Sequence, residues 1–356
     1  MSRNDKLYVD IHVIQTVPPS CVNRDDTGAP KQCIYGGVRR ARVSSQAWKR
    51  AVRLAFREMY APDDLANRTK NIVGMVAEQI KAIDDTADAE TLAVKVLEGA
   101  GLSISKKDPK KGTDALFFMS KAQAKALAEI AVSNSDKNID KEVCKEALKK
   151  NPSIDMALFG RMVASDPSLN YDAAAMVAHA ISTHKVQTEF DYFTAVDDLT
   201  PEDTSGAGHL GTVEYNSSTL YRYASINVKE LAESLGKDTP AAVRNFAEAF
   251  LLSMPTGKIT TFGNRSIPNA VYVAIRTDQP VNMAAAFEKP VRLDEEGGYI
   301  EGSEDALIKY AKSAYATFIE EPKKSWTIGE GMESLGNTVA LKAMLAEIDQ
   351  FLAEED

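Results

Sequence analysis

Three segments decide the fold: Thr219-Leu-Tyr-Arg-Tyr-Ala-Ser-Ile-Asn-Val228, Thr239-Pro-Ala-Ala-Val-Arg-Asn-Phe-Ala-Glu-Ala-Phe-Leu-Leu-Ser-Met254 and Asn269-Ala-Val-Tyr-Val-Ala-Ile-Arg-Thr277. The first and third are rich in Tyr, Val, Ile and Thr, which suit a pleated sheet. The middle one opens on Thr239-Pro240, a hydroxyl N-cap before a proline whose missing N–H costs nothing in a first helical turn. The stretch predicts a strand, a helix and a strand.

The start of the chain repeats that order. Leu7-Tyr-Val-Asp-Ile-His-Val-Ile14 sets Leu7, Val9, Ile11 and Val13 against Tyr8, Asp10, His12 and Ile14, the period of a strand with one buried face. The prolines, Asx residues and Gly28 between Val17 and Lys31 predict a loop. Gly36-Gly37 leads into a short strand, Val38-Arg-Arg-Ala-Arg-Val43, and Ser44 or Ser45 then caps a helix with Trp48, Val52, Ala55, Phe56 and Met59 on its apolar stripe. Two such units predict an α+β chain with a ferredoxin-like, RRM-like sheet and helices on one face.

Two regions interrupt this sheet. From about Glu58 to Asn151 helical spacing dominates, at Leu65 to Leu97 and Ser120 to Leu148, around the polar Ser103 to Gly112. Strand character returns at Ile154 to Met162, at Ala175 to Val186 and at Phe190 to Leu199, although the alanines near Ala173 equally suit a helical start. Asp191 to Gly211 collects Asp197, Asp198, Glu202, Asp203, Gly206 and Gly208, a composition for a projecting loop or hairpin. Two amphipathic helices, Glu304 to Ile319 and Asn337 to Leu352, close the chain.

With 356 residues, 44% hydrophobic and 26% charged, the chain has the makings of about two globular domains. The segment Leu7 to Val13 is too short and too polar for a membrane span or a secretory leader, so a cytoplasmic protein without membrane contact is expected. Cys21, Cys33 and Cys144 lack metal or disulfide spacing. His12, His179, His184 and His209 match no ligand motif and read as structural histidines. Pro255-Thr-Gly-Lys258 lacks the earlier glycine of a phosphate loop, and Gly329-Glu-Gly331 lacks the third glycine of a dinucleotide fingerprint, so no cofactor and no metal are expected. Asp25-Asp26 reads either as a divalent-cation site or, more commonly for adjacent acids in a turn, as Asx capping.

Charge is the informative feature. Lys31, Arg39, Arg40, Arg42, Lys49, Arg50, Arg53 and Arg57 lie within 27 residues that contain no acid, a local charge of +8. Subtracting this from the whole-chain −9 leaves −17 for the rest. A solvated helix face is the plain reading of such a run. Against it stand Ser44, Ser45 and Gln46 at a helix N-terminus, whose free N–H groups and positive dipole end favour a phosphate, and Arg24 in the preceding loop. The combination predicts one groove that grips a nucleic-acid backbone on an otherwise acidic body.

Val22 to Asp26, Gly36-Gly-Val-Arg-Arg-Ala-Arg-Val-Ser-Ser-Gln-Ala-Trp-Lys-Arg50, Gly160-Arg-Met162, Ala178-His-Ala-Ile-Ser-Thr-His184, Asp191 to Asp198, His209-Leu-Gly-Thr212 and Tyr221 to Asn227 resemble the CasC family, the RAMP-type backbone subunit of the type I-E CRISPR Cascade complex. The resemblance implies a hand-like protein. Its RRM-like palm would be residues 1–57, 152–190 and 212–300; its helical fingers 58–151; its thumb hairpin 190–211; and residues 301–356 would form C-terminal helices packed on the palm. It further implies a non-catalytic scaffold whose partners are CRISPR RNA, target DNA through the guide, further copies of itself and other Cascade subunits. RNA contacts would come from Arg24, Arg39, Arg42, Ser44, Ser45, Gln46, Lys49, Arg50, Arg53 and Lys258, with Met162 and Phe193 wedged beside a displaced nucleotide. Related type III backbone subunits cut RNA from a loop acid, so a metal-dependent ribonuclease using Asp25 or Asp26 is the rival reading.

Overall fold

The computed structural model describes residues 6–105, 112–134, 139–163, 166–195 and 209–355. In chain order the elements begin with β1 (Tyr8–Ser20), β2 (Gln32–Tyr35), β3 (Val38–Val43) and α1 (Ser45–Met59). Next come β4 (Ala66–Thr69), α2 (Ile72–Ile83), α3 (Ala89–Gly99), β5 (Phe117–Ser120), α4 (Lys121–Ser133), α5 (Lys141–Lys149) and α6 (Ile154–Phe159). They continue with β6 (Ala175–Val177), β7 (Ala180–Ser182), β8 (Glu189–Ala195), β9 (His209–Asn227), α7 (Val228–Leu235), α8 (Thr239–Leu252), α9 (Ile259–Phe262) and β10 (Ala270–Arg276). The last are α10 (Ile300–Thr317), β11 (Lys324–Ile328), β12 (Asn337–Thr338) and α11 (Leu341–Glu354). The protein is a mixed α+β fold of two units: residues 1–52, 177–225 and 246–351 form one, and 53–176, 226–245 and 352–356 the other.

The first unit is built on a sheet of order β12-β11-β10-β1-β9-β7-β3-β2. β1 runs antiparallel to β10 from Tyr8 opposite Arg276 to Ile14 opposite Ala270. The expectation of one buried face for β1 is corrected: both faces are buried. Val9, Ile11 and Val13 lie on one, and Asp10, His12 and Ile14 on the other. The cause is the C-terminal region, because Leu307 and Ala311 of α10, with Met283 and Phe287, pack on Ile14, Tyr221, Tyr223 and Tyr272.

The buried polar residues on that face are satisfied in part by one another. Tyr223 donates its hydroxyl to Asp10 at 3.0 Å, and the Val281 N–H donates to the other oxygen at 2.8 Å. Burial nevertheless pushes the Asp10 carboxyl up to about 6. On the opposite face Trp48 of α1 packs with Val17, Val43 and Leu220. Arg222 lies fully buried there, 3.8 Å from the Trp48 ring centre and 4.5 Å from that of Phe250.

β1 also continues further than expected, to Ser20. Pro18 and Pro19 are exposed beyond Ile14, the last residue paired with β10, where an absent N–H removes no ladder bond to that strand. β9 is a 19-residue strand. Its first part pairs with β8 as a two-stranded ribbon, from Glu189 opposite Tyr215 to Ala195 opposite His209, with Phe190 and Tyr192 exposed. Asp197, Asp198, Glu202, Asp203, Gly206 and Gly208 lie outside the described residues.

The second unit is mainly helical, with α2 to α5 closing on Val76, Ile80, Val96, Leu97, Leu127 and Leu148. The strand expected over Ile154 to Met162 is helix α6 followed by Gly160 at φ 72. A short apolar run such as Met156-Ala157-Leu158 does not separate strand from buried helix by period, and here Ser153 and Gly160 bound a helical turn. Among the described residues no helix is long and apolar enough to cross a membrane.

Candidate nucleic-acid interface

The loop after β1 is a small closed turn. Lys31 N–H donates to the Asn23 carbonyl at 2.8 Å, Asp25 N–H donates to the Ala29 carbonyl at 2.9 Å, and Arg24 bridges Pro30. Asp25 Oδ1 accepts from Thr27 N–H at 2.9 Å, from the Thr27 hydroxyl at 2.7 Å and from Ala29 N–H at 3.1 Å. Those bonds, the Thr27 hydroxyl first, lower its pKa. Asp25 is thus an Asx cap, and among the described residues no group of three or more His, Cys, Asp or Glu is placed to hold a metal ion. Arg24 and Asp26 are exposed.

This turn is fastened to α1. Asn23 Oδ1 accepts the Ser44 N–H at 2.9 Å, and the Ser44 carbonyl accepts from Ala47 N–H at 3.0 Å and Trp48 N–H at 3.3 Å. The helix therefore starts beside the loop, with no acid in its first turn. Ser44 is buried, Ser45 half-buried and Gln46 exposed. Lys49 is half-buried, which lowers its pKa, and Arg50 is exposed.

Lys258 joins the same loop from the other side. A Cβ on Gly257 would stand 2.1 Å from the Val22 carbonyl oxygen, so only glycine permits that approach. Lys258 itself takes a left-handed conformation, φ 48, at the start of α9. Burial raises the pKa of the Cys21 thiol; the charges of Arg24 and Lys258 lower it, and those of Asp25 and Glu214 raise it.

The arginines of β3 divide. Arg39 is exposed. Arg40 is fully buried and donates to the carbonyls of Ser182 at 2.9 Å, Phe287 at 2.8 Å and Tyr35 at 3.2 Å. It is a strut, not a surface cation. The turn before it is as tight: a Cβ on Gly36, φ 57, would stand 1.7 Å from the Glu288 carbonyl oxygen. Arg42 donates from Nε to the Gln32 carbonyl at 3.4 Å and from Nη1 to His179 Nδ1 at 3.1 Å.

Arg53 and Met162 belong to the second unit. Arg53 Nε donates to Asp155 Oδ2 at 3.3 Å, and its guanidinium lies 4.6 Å from the Phe118 ring centre. Asp155 is buried and also accepts Ala66 N–H at 2.9 Å and the Ser153 hydroxyl at 2.8 Å. Much of the Arg53 charge is therefore committed internally. Met162 is 84% exposed, which removes ordinary core packing as its reading. Its neighbour Arg161 is buried and donates to the carbonyls of Leu169, Phe118 and Leu148 at 3.0 to 3.2 Å, which fixes the backbone that presents Met162. Phe193 stands on the β8–β9 ribbon opposite Gly211 and is 42% exposed, so it is not sheet core either.

Sequence reasoning missed Asn23 as the tie between loop and helix, and counted Arg40 as a surface cation. An Asx residue 21 positions before a helix start carries no local signal, and Arg40 differs from Arg39 only by strand parity.

A family model described as CT1975-like protein matches residues 9–353. A chain of the solved "CRISPR RNA-guided surveillance complex, pre-nicking" is similar with TM-score 0.79 and 32% identity, covering 98% of this chain and 100% of that one. A chain of a second structure, "CRISPR RNA-guided surveillance complex", is similar with TM-score 0.62 and 27% identity, covering 96% and 99%. No curated protein sequence matches the chain.

Proposed function

The chain belongs to the CT1975-like family, the CasC-type backbone subunits of Cascade, and from that premise we propose that it is a non-catalytic scaffold that holds a CRISPR guide RNA by its backbone. Its partners are the guide, target DNA through the guide, further copies of itself and other Cascade subunits. Specificity then comes from base pairing, while the protein supplies shape and charge.

One observation carries the reading. Exposed Arg24, Gln46 and Arg50 belong to the loop and helix that Asn23 ties together, the helix has no acid in its first turn, and Lys258 follows the glycine that packs on the same loop, in a chain of net charge −9. Such a concentration suits phosphates. Met162 in one unit and Phe193 in the other are each exposed, which suits either of them as an apolar wedge against a displaced base. The order β10-β1-β9-β7, with α1 following β1 and α8 following β9, supports the ferredoxin-like reading of the palm. The long helical stretch at 58–151 and the β8–β9 ribbon are the proposed fingers and thumb.

The test is nuclease footprinting of single-stranded RNA loaded with the purified chain. Protection with cleavage recurring at a fixed interval supports a polymerising scaffold. Uniform susceptibility overturns it, and magnesium-dependent cleavage abolished by Asp25→Asn or Asp26→Asn replaces it with a ribonuclease.

A further inference from the structure

We infer that His179, with Arg42 and Lys31, forms a second anion subsite that takes a phosphate of the bound RNA, the imidazole acting as a neutral hydrogen-bond donor. The inference rests on the scaffold reading and adds to it a cluster on the β3–β7 side of the sheet, next to the α1 N-terminus.

Three chain segments that are distant in sequence bring the cluster together. Arg42 N–H donates to the Lys31 carbonyl at 2.9 Å, which makes Lys31 and Arg42 cross-strand neighbours. Such neighbours project to the same side of a sheet. On its other edge β3 pairs with β7, Arg42 opposite Ile181, and His179 lies two residues before Ile181. The Arg42 guanidinium meets His179 Nδ1 at 3.1 Å.

That contact fixes the tautomer. A guanidinium only donates, so Nδ1 is the acceptor and the ring proton sits on Nε2. His179 is an exposed side chain, so a polar donor is offered to solvent from a ring held in place by an arginine. Burial, then the charges of Arg42 and Lys31, hold its pKa below the ordinary value, so the ring is neutral near pH 7. Two cations beside a fixed N–H donor match the charge and acceptor chemistry of a phosphate diester.

The charge state gives the inference a signature. A neutral donor releases no counterion, so His179→Ala should weaken single-stranded RNA binding roughly two- to tenfold without changing the salt slope. His179→Gln, which restores an N–H donor, should recover most of that loss. Arg42→Ala should weaken binding and flatten the slope by about 0.7. In the wild-type chain labelled with ¹⁵N-histidine, the His179 signals should show the Nε2–H tautomer and should shift when RNA is added.

The inference is overturned if His179→Ala binds like wild type while Lys49→Ala binds more weakly, or if the His179 signals stay unmoved by RNA that the chain demonstrably binds. If the wild-type chain binds no single-stranded RNA, the scaffold reading itself falls, and the inference with it.

Discussion

Asn23 Oδ1 accepts the backbone N–H of Ser44 at 2.9 Å, so one amide side chain in a loop holds the first residue before the cationic helix. The loop and the helix N-terminus are therefore one device, and the cations that each carries are presented together. Asn23→Ala should leave the buried Ser44 N–H unpaired and cost about 1–3 kcal/mol of folding stability, read by thermal unfolding. Asn23→Asp should keep the bond and most of the stability, yet weaken RNA binding by adding a negative charge beside the helix start. Equal affinity in Asn23→Asp and wild type would separate this loop from the RNA.

Arg53 should report on stability more than on affinity. Removing it leaves the buried Asp155 carboxylate without its guanidinium partner at 3.3 Å. Arg53→Ala should cost about 1–3 kcal/mol in the RNA-free chain, discounted from a fully buried pair because the Arg53 side chain is 19% exposed. A melting temperature equal to wild type, with RNA affinity reduced, would return Arg53 to the set of phosphate-binding residues.

Phe193 and Met162 should do the opposite. Both are exposed, so Phe193→Ala and Met162→Ala should change stability by no more than about 0.5 kcal/mol. Phe193→Ala should lose stacking of about 1–3 kcal/mol per base and abolish the fixed interval of the nuclease footprint, at an unchanged salt slope. Gly211→Ala should act through the same ring, because its new Cβ would stand 2.2 Å from the Phe193 Cζ and displace it. A large melting loss with an intact periodic footprint would contradict the wedge role.

Asp10 gives a pH signature. Its folded-state pKa is about 6 against an ordinary 3.8, so the folded chain holds a proton there that the unfolded chain releases between those values. Stability from this group is present below about pH 4 and lost as pH rises through about 6, a change on the order of 2–3 kcal/mol. Asp10→Asn should therefore be more stable than wild type at pH 7.5 and lose that advantage near pH 4. A constant difference across that range would show that Tyr223 and Arg276 hold the carboxylate ionised.

Much of this was legible in the sequence because periodicity reports the local solvent gradient. Leu7 to Ile14, Asn269 to Thr277 and the Trp48, Val52, Phe56 stripe each predicted an element that the structure contains. What periodicity misses is burial imposed from a distance. Asp10 and His12 alternate like solvent-facing residues and are buried because α10 covers them. Arg40 looks like Arg39 and Arg42 until the carbonyls of Ser182 and Phe287 converge on it. The apolar run at Met156 to Phe159 has no period, and the start of β9 mixes glycine and polar residues with Leu210, Val213 and Tyr215, which blurs its strand signal.

The central claim is that the cations beside the α1 N-terminus neutralise RNA phosphates, and the salt dependence of single-stranded RNA binding tests it most directly. The Lys49→Ala/Arg50→Ala double variant should bind more weakly and flatten the slope of log K against log salt by about 1.4, near 0.7 for each phosphate no longer neutralised. A double variant that folds like wild type and binds with an unchanged slope would contradict the claim and leave α1 with only a solvated basic face.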